Sequence, residues 1–245
     1  MAAVCNRYAT TLRPMISAPS QTQSPPTIET ALSLLSRLLC YPGGDFDNVL
    51  VQALETTDSL PLIAFRSAMD DITRDQREEL YTATFDVTPR CVPYTSIHLF
   101  GEENFKRGEY MAALHSQYEQ VGFDPAGELP DHLAVLLRYA ATLQEPARRE
   151  LVAFCILGPL AKITNALPED HPYRFVLDAV DETLRSAYPG IEVPPSPADQ
   201  MRQHGSCPTV ADGCGCGPVA SPIIDGPTDD DSSAEASAPF STHTL

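Results

Sequence analysis

Along residues 27–188 of this 245-residue chain, apolar positions recur every three to four residues, the period of a helix that buries one face. Ile28, Ala31, Leu32, Leu35, Leu38 and Leu39 form the first such run, and Pro42-Gly43-Gly44 stops it. A second helix is expected over residues 45–54, and a third over 61–72 with Pro61 in its first turn. Thr73 and Gln76 stand at capping-box spacing and open a helix over 74–87. Residues 88–103 break the period with Pro89, Pro93 and Gly101, which predicts an ordered loop holding a short turn or two. Helix resumes over 103–123, with Phe105, Met111, Leu114, Tyr118 and Val121 on its apolar face and Gly122 at its end. The next stretch reads ELPDHLAVLLRYAA, residues 128–141, and predicts a helix from Asp131 to about Leu143. Pro146 opens a further helix over 146–167 that Gly158-Pro159 must kink or split. A last amphipathic helix follows Pro172.

No run of alternating polarity interrupts this series, so the expected fold class is all-α: a single helical-bundle domain of about eight helices over 27–188. Residues 1–26 are rich in Ser, Thr, Pro and Gln and are expected to be a disordered extension. Residues 189–245 hold nine prolines, six glycines, eight acids, one base and a single aromatic, Phe240. No core can be built from that, which predicts a disordered acidic tail. There is no apolar run long enough to span a bilayer and no unbroken apolar region near the start, so neither a membrane span nor a secretory signal is expected. Seven cysteines make an odd number; Cys40 and Cys155 fall inside apolar patterns as small buried hydrophobes, and the expected compartment is the cytoplasm.

A formal charge of −17 sets this chain against nucleic acid and anionic membrane surfaces as partners and suits a basic or apolar peptide. The most conspicuous polar pair is Asp131-His132. Three roles fit it: a helix start, a binding surface, or the base of a hydrolase. A helix start needs only Pro130 and Asp131 in the first turn, where a carboxylate meets free N–H groups. Catalysis needs a nucleophile or a metal, and the chain has no GxSxG, HExxH or Walker loop. His98 and Glu102 are four apart, but Gly101 weakens any helix that would align them on a metal. In the tail, Cys207, Cys214 and Cys216 are three thiols that a soft metal could take, with His204 as a fourth ligand.

Three motifs occur in order at close spacing: YTATFDV (81–87), YTSIHLFGEENFKRGEYMAAL (94–114) and YEQVGFDPAGELPDHLAVLLRYAA (118–141). With the first helix, they resemble the TorD/DmsD/NarJ family of molybdoenzyme assembly chaperones, and most nearly its nitrate reductase branch. The resemblance covers residues 27–188 and leaves both extensions unexplained. It implies an all-helical cytoplasmic chaperone that is not an enzyme and carries no cofactor of its own. Such a protein binds the N-terminal segment of the apo catalytic (alpha) subunit of a membrane-associated molybdoenzyme, first of all a respiratory nitrate reductase. It keeps that subunit competent for insertion of the molybdenum cofactor. The family's acidic-Pro-Asp-His motif falls on Glu128, Pro130, Asp131 and His132, and in the family it borders the client groove. A peptide groove needs an apolar floor and a few polar groups at its rim. Tyr81, Phe85, Tyr94, Leu99, Phe100 and Leu133 are the expected floor; Glu102, Glu128 and Asp131 are the expected rim. Replacing Asp131 or His132 by alanine is then expected to spare the fold and weaken client binding. The alternatives are a client elsewhere in the DMSO-reductase superfamily, a metal-handling protein using the cysteine tail, and a His132-dependent hydrolase.

Overall fold

A computed structural model describes residues 27–204, and the regular structure among them is helical. The elements run α1 (Ile28–Leu38), α2 (Phe46–Thr57), α3 (Leu60–Asp70), α4 (Arg74–Phe85), α5 (Thr95–Phe100), α6 (Lys106–Val121), α7 (Leu133–Thr142), α8 (Ala147–Leu151), a π turn (Val152–Ile156), α9 (Leu157–Asn165), α10 (Pro172–Ala187) and α11 (Pro197–His204). The all-α expectation holds for these residues; one isolated antiparallel bridge, Tyr94 to His132, is the exception to helix. Residues 1–26 and the Cys207, Cys214 and Cys216 cluster lie outside the described residues.

Local chemistry accounts for most of the helix ends. Thr27 caps α1 by accepting from the Thr30 N–H. The Thr73–Gln76 capping box forms as expected: Thr73 Oγ1 accepts from the Gln76 N–H at 3.3 Å, and Gln76 Oε1 accepts from the Thr73 N–H at 2.8 Å. Gly122 closes α6 with φ of 66°, a left-handed conformation open to glycine at little cost.

α1 is the hub of the bundle. It packs against α7, α2 and α10, while α10 packs in turn on α3 and α9. Leu32, Leu35 and Leu38 on α1 are fully buried, as are Leu136 and Leu137 on α7 and Val176, Leu177 and Val180 on α10. Each such side chain contributes about 1.5–3 kcal/mol by leaving water. The packing of α1 on α7 places the end of α1 beside the start of α7, and that juxtaposition builds the candidate site.

Four expectations need correction. The break expected at Gly158-Pro159 falls one turn earlier, in the π turn: the Leu157 N–H reaches back five residues to the Val152 carbonyl. Proline lacks the N–H that would pair with the carbonyl four residues before it, so the wider turn absorbs the mismatch upstream of Pro159. Order does not stop at residue 188. Tyr188 and Ser196 are buried, and α11 packs on α5 through Lys162 of α9, whose ammonium donates to Asp199 Oδ2 at 2.7 Å, Ser196 Oγ at 3.1 Å and the His98 carbonyl at 3.1 Å. On α6, Leu114 and Tyr118 are buried, whereas Phe105 and Val121 are 81% and 60% exposed, because this helix covers the bundle with only its middle turns. Cys40 is exposed rather than buried, and Cys155 is half-buried.

Candidate functional site

The segment that links α4 to α5 is held against the start of α7 by paired backbone bonds. The Thr95 N–H donates to the Asp131 carbonyl at 2.9 Å, and the Leu133 N–H donates to the Pro93 carbonyl at 2.9 Å. This bridge keeps His132 extended after a turn at Asp131, so α7 begins at Leu133 and not at Asp131. His132 is its cap: Nδ1 accepts from the Ala134 N–H at 3.2 Å. That bond assigns the ring proton to Nε2. Burial holds the imidazole below its ordinary value, against the opposing pull of Glu128 and Asp131, so the ring is neutral near pH 7.

Asp131 faces the other way. It is fully buried, and Oδ2 accepts from the Ser96 hydroxyl at 2.5 Å and the Ser96 N–H at 3.3 Å. Arg107 Nε donates to the same serine oxygen at 3.1 Å. The carboxylate therefore satisfies the first turn of α5 and not of its own helix. This corrects its expected place at a groove rim: a side chain without solvent contact cannot meet a basic ligand.

What does open to solvent is a groove formed by two adjoining depressions of about 250 and 230 Å³. Tyr41, Tyr81, Glu128 and His132 line both. The first adds Ser36, Arg37 and Cys40 from the end of α1 and Val135 and Arg138 from α7; the second adds Phe85, Asp86, Pro93 and Tyr94. Larger cavities exist, of about 520 and 440 Å³ on either side of Phe154 and about 370 Å³ where α1, α2 and α10 meet, but none is lined by Glu128, Asp131 or His132.

The aromatic wall of the groove is continuous with the core. Tyr41 meets Tyr81 edge-on at 5.5 Å, Tyr81 meets Phe85 at 5.2 Å, and both pack on buried Tyr173. Tyr94 stands edge-on to His132 at 5.4 Å. Such contacts fix the rings before any ligand arrives, which lowers the ordering cost of binding. Tyr41 also donates to Glu78 at 3.0 Å. Glu128 is exposed; its Oε1 accepts from the Leu129 N–H at 2.8 Å and faces the Tyr94 hydroxyl at 3.4 Å. Burial, and then that carboxylate, raise the Tyr94 phenol, so it stays a donor. Arg37 is paired with Asp45, and Arg138 lies over the Phe123 ring and donates to the Asp124 carbonyl. The depression beside Asp86 and Glu128 has no lysine or arginine in its lining.

Of the eleven expected site residues, Tyr81, Phe85, Tyr94, Glu128 and His132 come together here. Leu133 is buried in the core, and the Pro130 carbonyl accepts from the Tyr118 hydroxyl at 2.8 Å. Leu99 and Phe100 sit on α5 away from the groove, with Phe100 packed on Tyr110 at 5.6 Å, and Glu102 is exposed at the end of that helix. His98 is committed through Nε2 to the Val92 carbonyl at 2.8 Å. Sequence reasoning missed Tyr41, Asp86 and Arg138. A tyrosine directly after the last apolar position of a helix and before Pro-Gly-Gly was the available signal for Tyr41; Asp86 and Arg138 carried none.

Comparison with known proteins matches the sequence to a family. The model of the nitrate reductase delta subunit family matches residues 50–171, which include every groove residue except Ser36, Arg37, Cys40 and Tyr41. Two nitrate reductase-like NarX proteins from strains of Mycobacterium tuberculosis are 35% identical over 105 residues, 42% of this chain. The aligned stretch spans only 16% of those relatives' length. A probable nitrate reductase molybdenum cofactor assembly chaperone, NarJ of Bacillus subtilis, is 29% identical over 131 residues, 50% of this chain and 71% of that protein. Set beside the helical fold and the order of the motifs along it, these matches establish that the chain belongs to the nitrate reductase delta subunit (NarJ) family.

Proposed function

We propose that this protein is a cytoplasmic assembly chaperone for a nitrate reductase, binding the apo catalytic subunit through its N-terminal segment while the molybdenum cofactor is inserted. The observation that carries the reading is the groove itself. It joins an ordered aromatic wall to the exposed carboxylates of Asp86 and Glu128, a surface for an apolar segment with basic residues. The name of the Bacillus subtilis relative supplies the client class. His132 serves recognition better than catalysis: its Nδ1 lone pair is committed to the Ala134 N–H, which leaves a donor where a hydrolase would need a base. Binding without turnover follows. The protein acts while the client waits and takes no part in nitrate reduction.

The test is capture from cells. Tagged protein is expressed beside the nitrate reductase subunits in a host unable to make the molybdenum cofactor, and the bound material is identified by mass spectrometry. The apo catalytic subunit is the expected partner, and its recovery falls once the cofactor is restored. Recovery of no molybdoenzyme subunit sinks the reading; recovery of a different molybdoenzyme's subunit keeps the chaperone and replaces the client.

A further inference from the structure

Residues 1–26 contain Arg7 and Arg13 and no acidic residue, in a chain whose formal charge is −17. Val4, Tyr8 and Leu12 follow one another at four-residue intervals, which would set them on one face of a helix, and Pro14 ends that pattern. As a helix, the stretch would carry one apolar face with an aromatic on it and basic residues close by. Those are the features to which the groove is complementary: the wall of Tyr41, Tyr81 and Phe85 accepts an apolar face, and Asp86 and Glu128 line a depression with no lysine or arginine of its own.

We propose that the chain's own segment around residues 4–15 docks in this groove and competes there with the client. The inference rests on the proposed function in that it assigns the same groove to both occupants.

Connectivity permits it. Thr27 stands at the start of α1, and the groove receives the end of the same helix. The eleven residues of α1 cover about 17 Å. The twelve steps along the chain from Met15 to Thr27 reach up to about 40 Å when extended, enough to run back along α1. A tethered segment acts at an effective concentration in the millimolar range, so even a weak intrinsic fit would fill the groove much of the time. The client must then displace it. Apparent affinity falls in proportion to the fraction of protein whose groove is open. Charge gives the same segment selectivity: it suits the carboxylates of the groove and would be repelled by none of the side chains of that depression.

The test uses the full chain. Photo-cross-linking from Ala9→p-benzoylphenylalanine, followed by mass spectrometry, is expected to join residue 9 within one molecule to peptides carrying Tyr41, Tyr81 or residues 128–138. Asp86→Asn with Glu128→Gln is expected to cut the yield at least about five-fold. Cross-links that join two copies, or that fall in residues 205–245 or on another face, overturn the proposal. A second measurement separates it from the function on which it rests. A synthetic peptide of the N-terminal segment of the nitrate reductase catalytic subunit from the same genome is titrated into wild type and into Arg7→Gln/Arg13→Gln. If the native segment fills the groove some 80–90% of the time, the variant binds the peptide about five- to ten-fold more tightly. Equal binding to both proteins overturns the competition and leaves the chaperone reading standing. Binding to neither overturns the groove assignment itself, whatever the cross-links report.

Discussion

Asp131 and Ser96, thirty-five residues apart in sequence, are joined by a 2.5 Å bond from the serine hydroxyl to the aspartate carboxylate, with both residues fully buried. The same carboxylate oxygen accepts the Ser96 N–H. An acidic residue beside a histidine suggests a site; here the acid stabilises the scaffold that presents the histidine. Asp131→Ala would strand two buried donors, and stranding a buried donor costs about 1–3 kcal/mol. The expected loss is about 2–4 kcal/mol, read as a lower urea midpoint at unchanged slope. Ser96→Ala removes the hydroxyl's bonds to Asp131 and from Arg107 but keeps the Ser96 N–H on the carboxylate, so no backbone donor is stranded and it should cost less. An Asp131→Ala protein that keeps the wild-type midpoint yet fails to bind client would restore Asp131 to the groove.

Glu128 and Tyr41 are the opposite case. Both are exposed, and both line the groove on each side of His132. Glu128→Gln and Tyr41→Ala are expected to leave the urea midpoint within about 0.5 kcal/mol of wild type. Each should weaken capture of the apo catalytic subunit, Tyr41→Ala by about ten-fold, the effect of losing an aromatic anchor. Calorimetric titration with a client N-terminal peptide provides the number. Unchanged affinity in both variants would remove the groove as the binding surface.

The contrast between Asp131 and Glu128 shows what could be read from sequence. The Thr73–Gln76 capping box was legible because both partners lie within one turn. So were the α1 stripe and the glycine stop of α6. The role of Asp131 was not, because its partner stands on another helix and only the bridge between Thr95 and Asp131 brings them together. Helix α11 was hidden for a similar reason. Its composition offers almost nothing to a core beyond Ala198, and its place depends on Lys162, thirty-seven residues away from Asp199. Tyr41 and Asp86 entered the groove through the packing of α1 on α7 and of Tyr81 and Phe85 on Tyr173 of α10, relations that no local pattern encodes.

Lys162 offers a direct check on that long-range anchoring. It is about one-third exposed, as is Asp199, so the ion pair itself adds little to global stability. Its bonds to Ser196, Asp199 and the His98 carbonyl nevertheless gather α5, α9 and the start of α11 at one ammonium. Lys162→Met should lower global stability by no more than about 1 kcal/mol and speed amide exchange across residues 196–202 by ten-fold or more. Exchange that stays at the wild-type rate would show that α11 is held by other contacts.

Histidine caps two helices here, which ties stability to pH. His132 Nδ1 accepts from the Ala134 N–H at the start of α7, and His171 Nδ1 accepts from the Tyr173 N–H at 3.3 Å at the start of α10. Protonation would remove the accepting lone pair from each and set a positive charge against the helix N-terminus. Burial lowers both imidazoles; Arg90 lowers His171 further while Asp170 opposes, and Glu128 and Asp131 oppose the shift at His132. The sign follows from proton uptake. Below about pH 6.5 the unfolded chain protonates these histidines while the folded chain resists, so the unfolded state binds more protons and stability falls with falling pH. The loss begins near the ordinary histidine value and continues until the folded protein also takes up the protons. His132→Asn and His171→Asn keep a side-chain acceptor at each cap without the titration. Together they should flatten the midpoint-against-pH curve between pH 7 and 5, measured by urea unfolding in buffers of matched ionic strength. A slope as steep in the double variant as in wild type would place the pH sensitivity in groups other than the two caps.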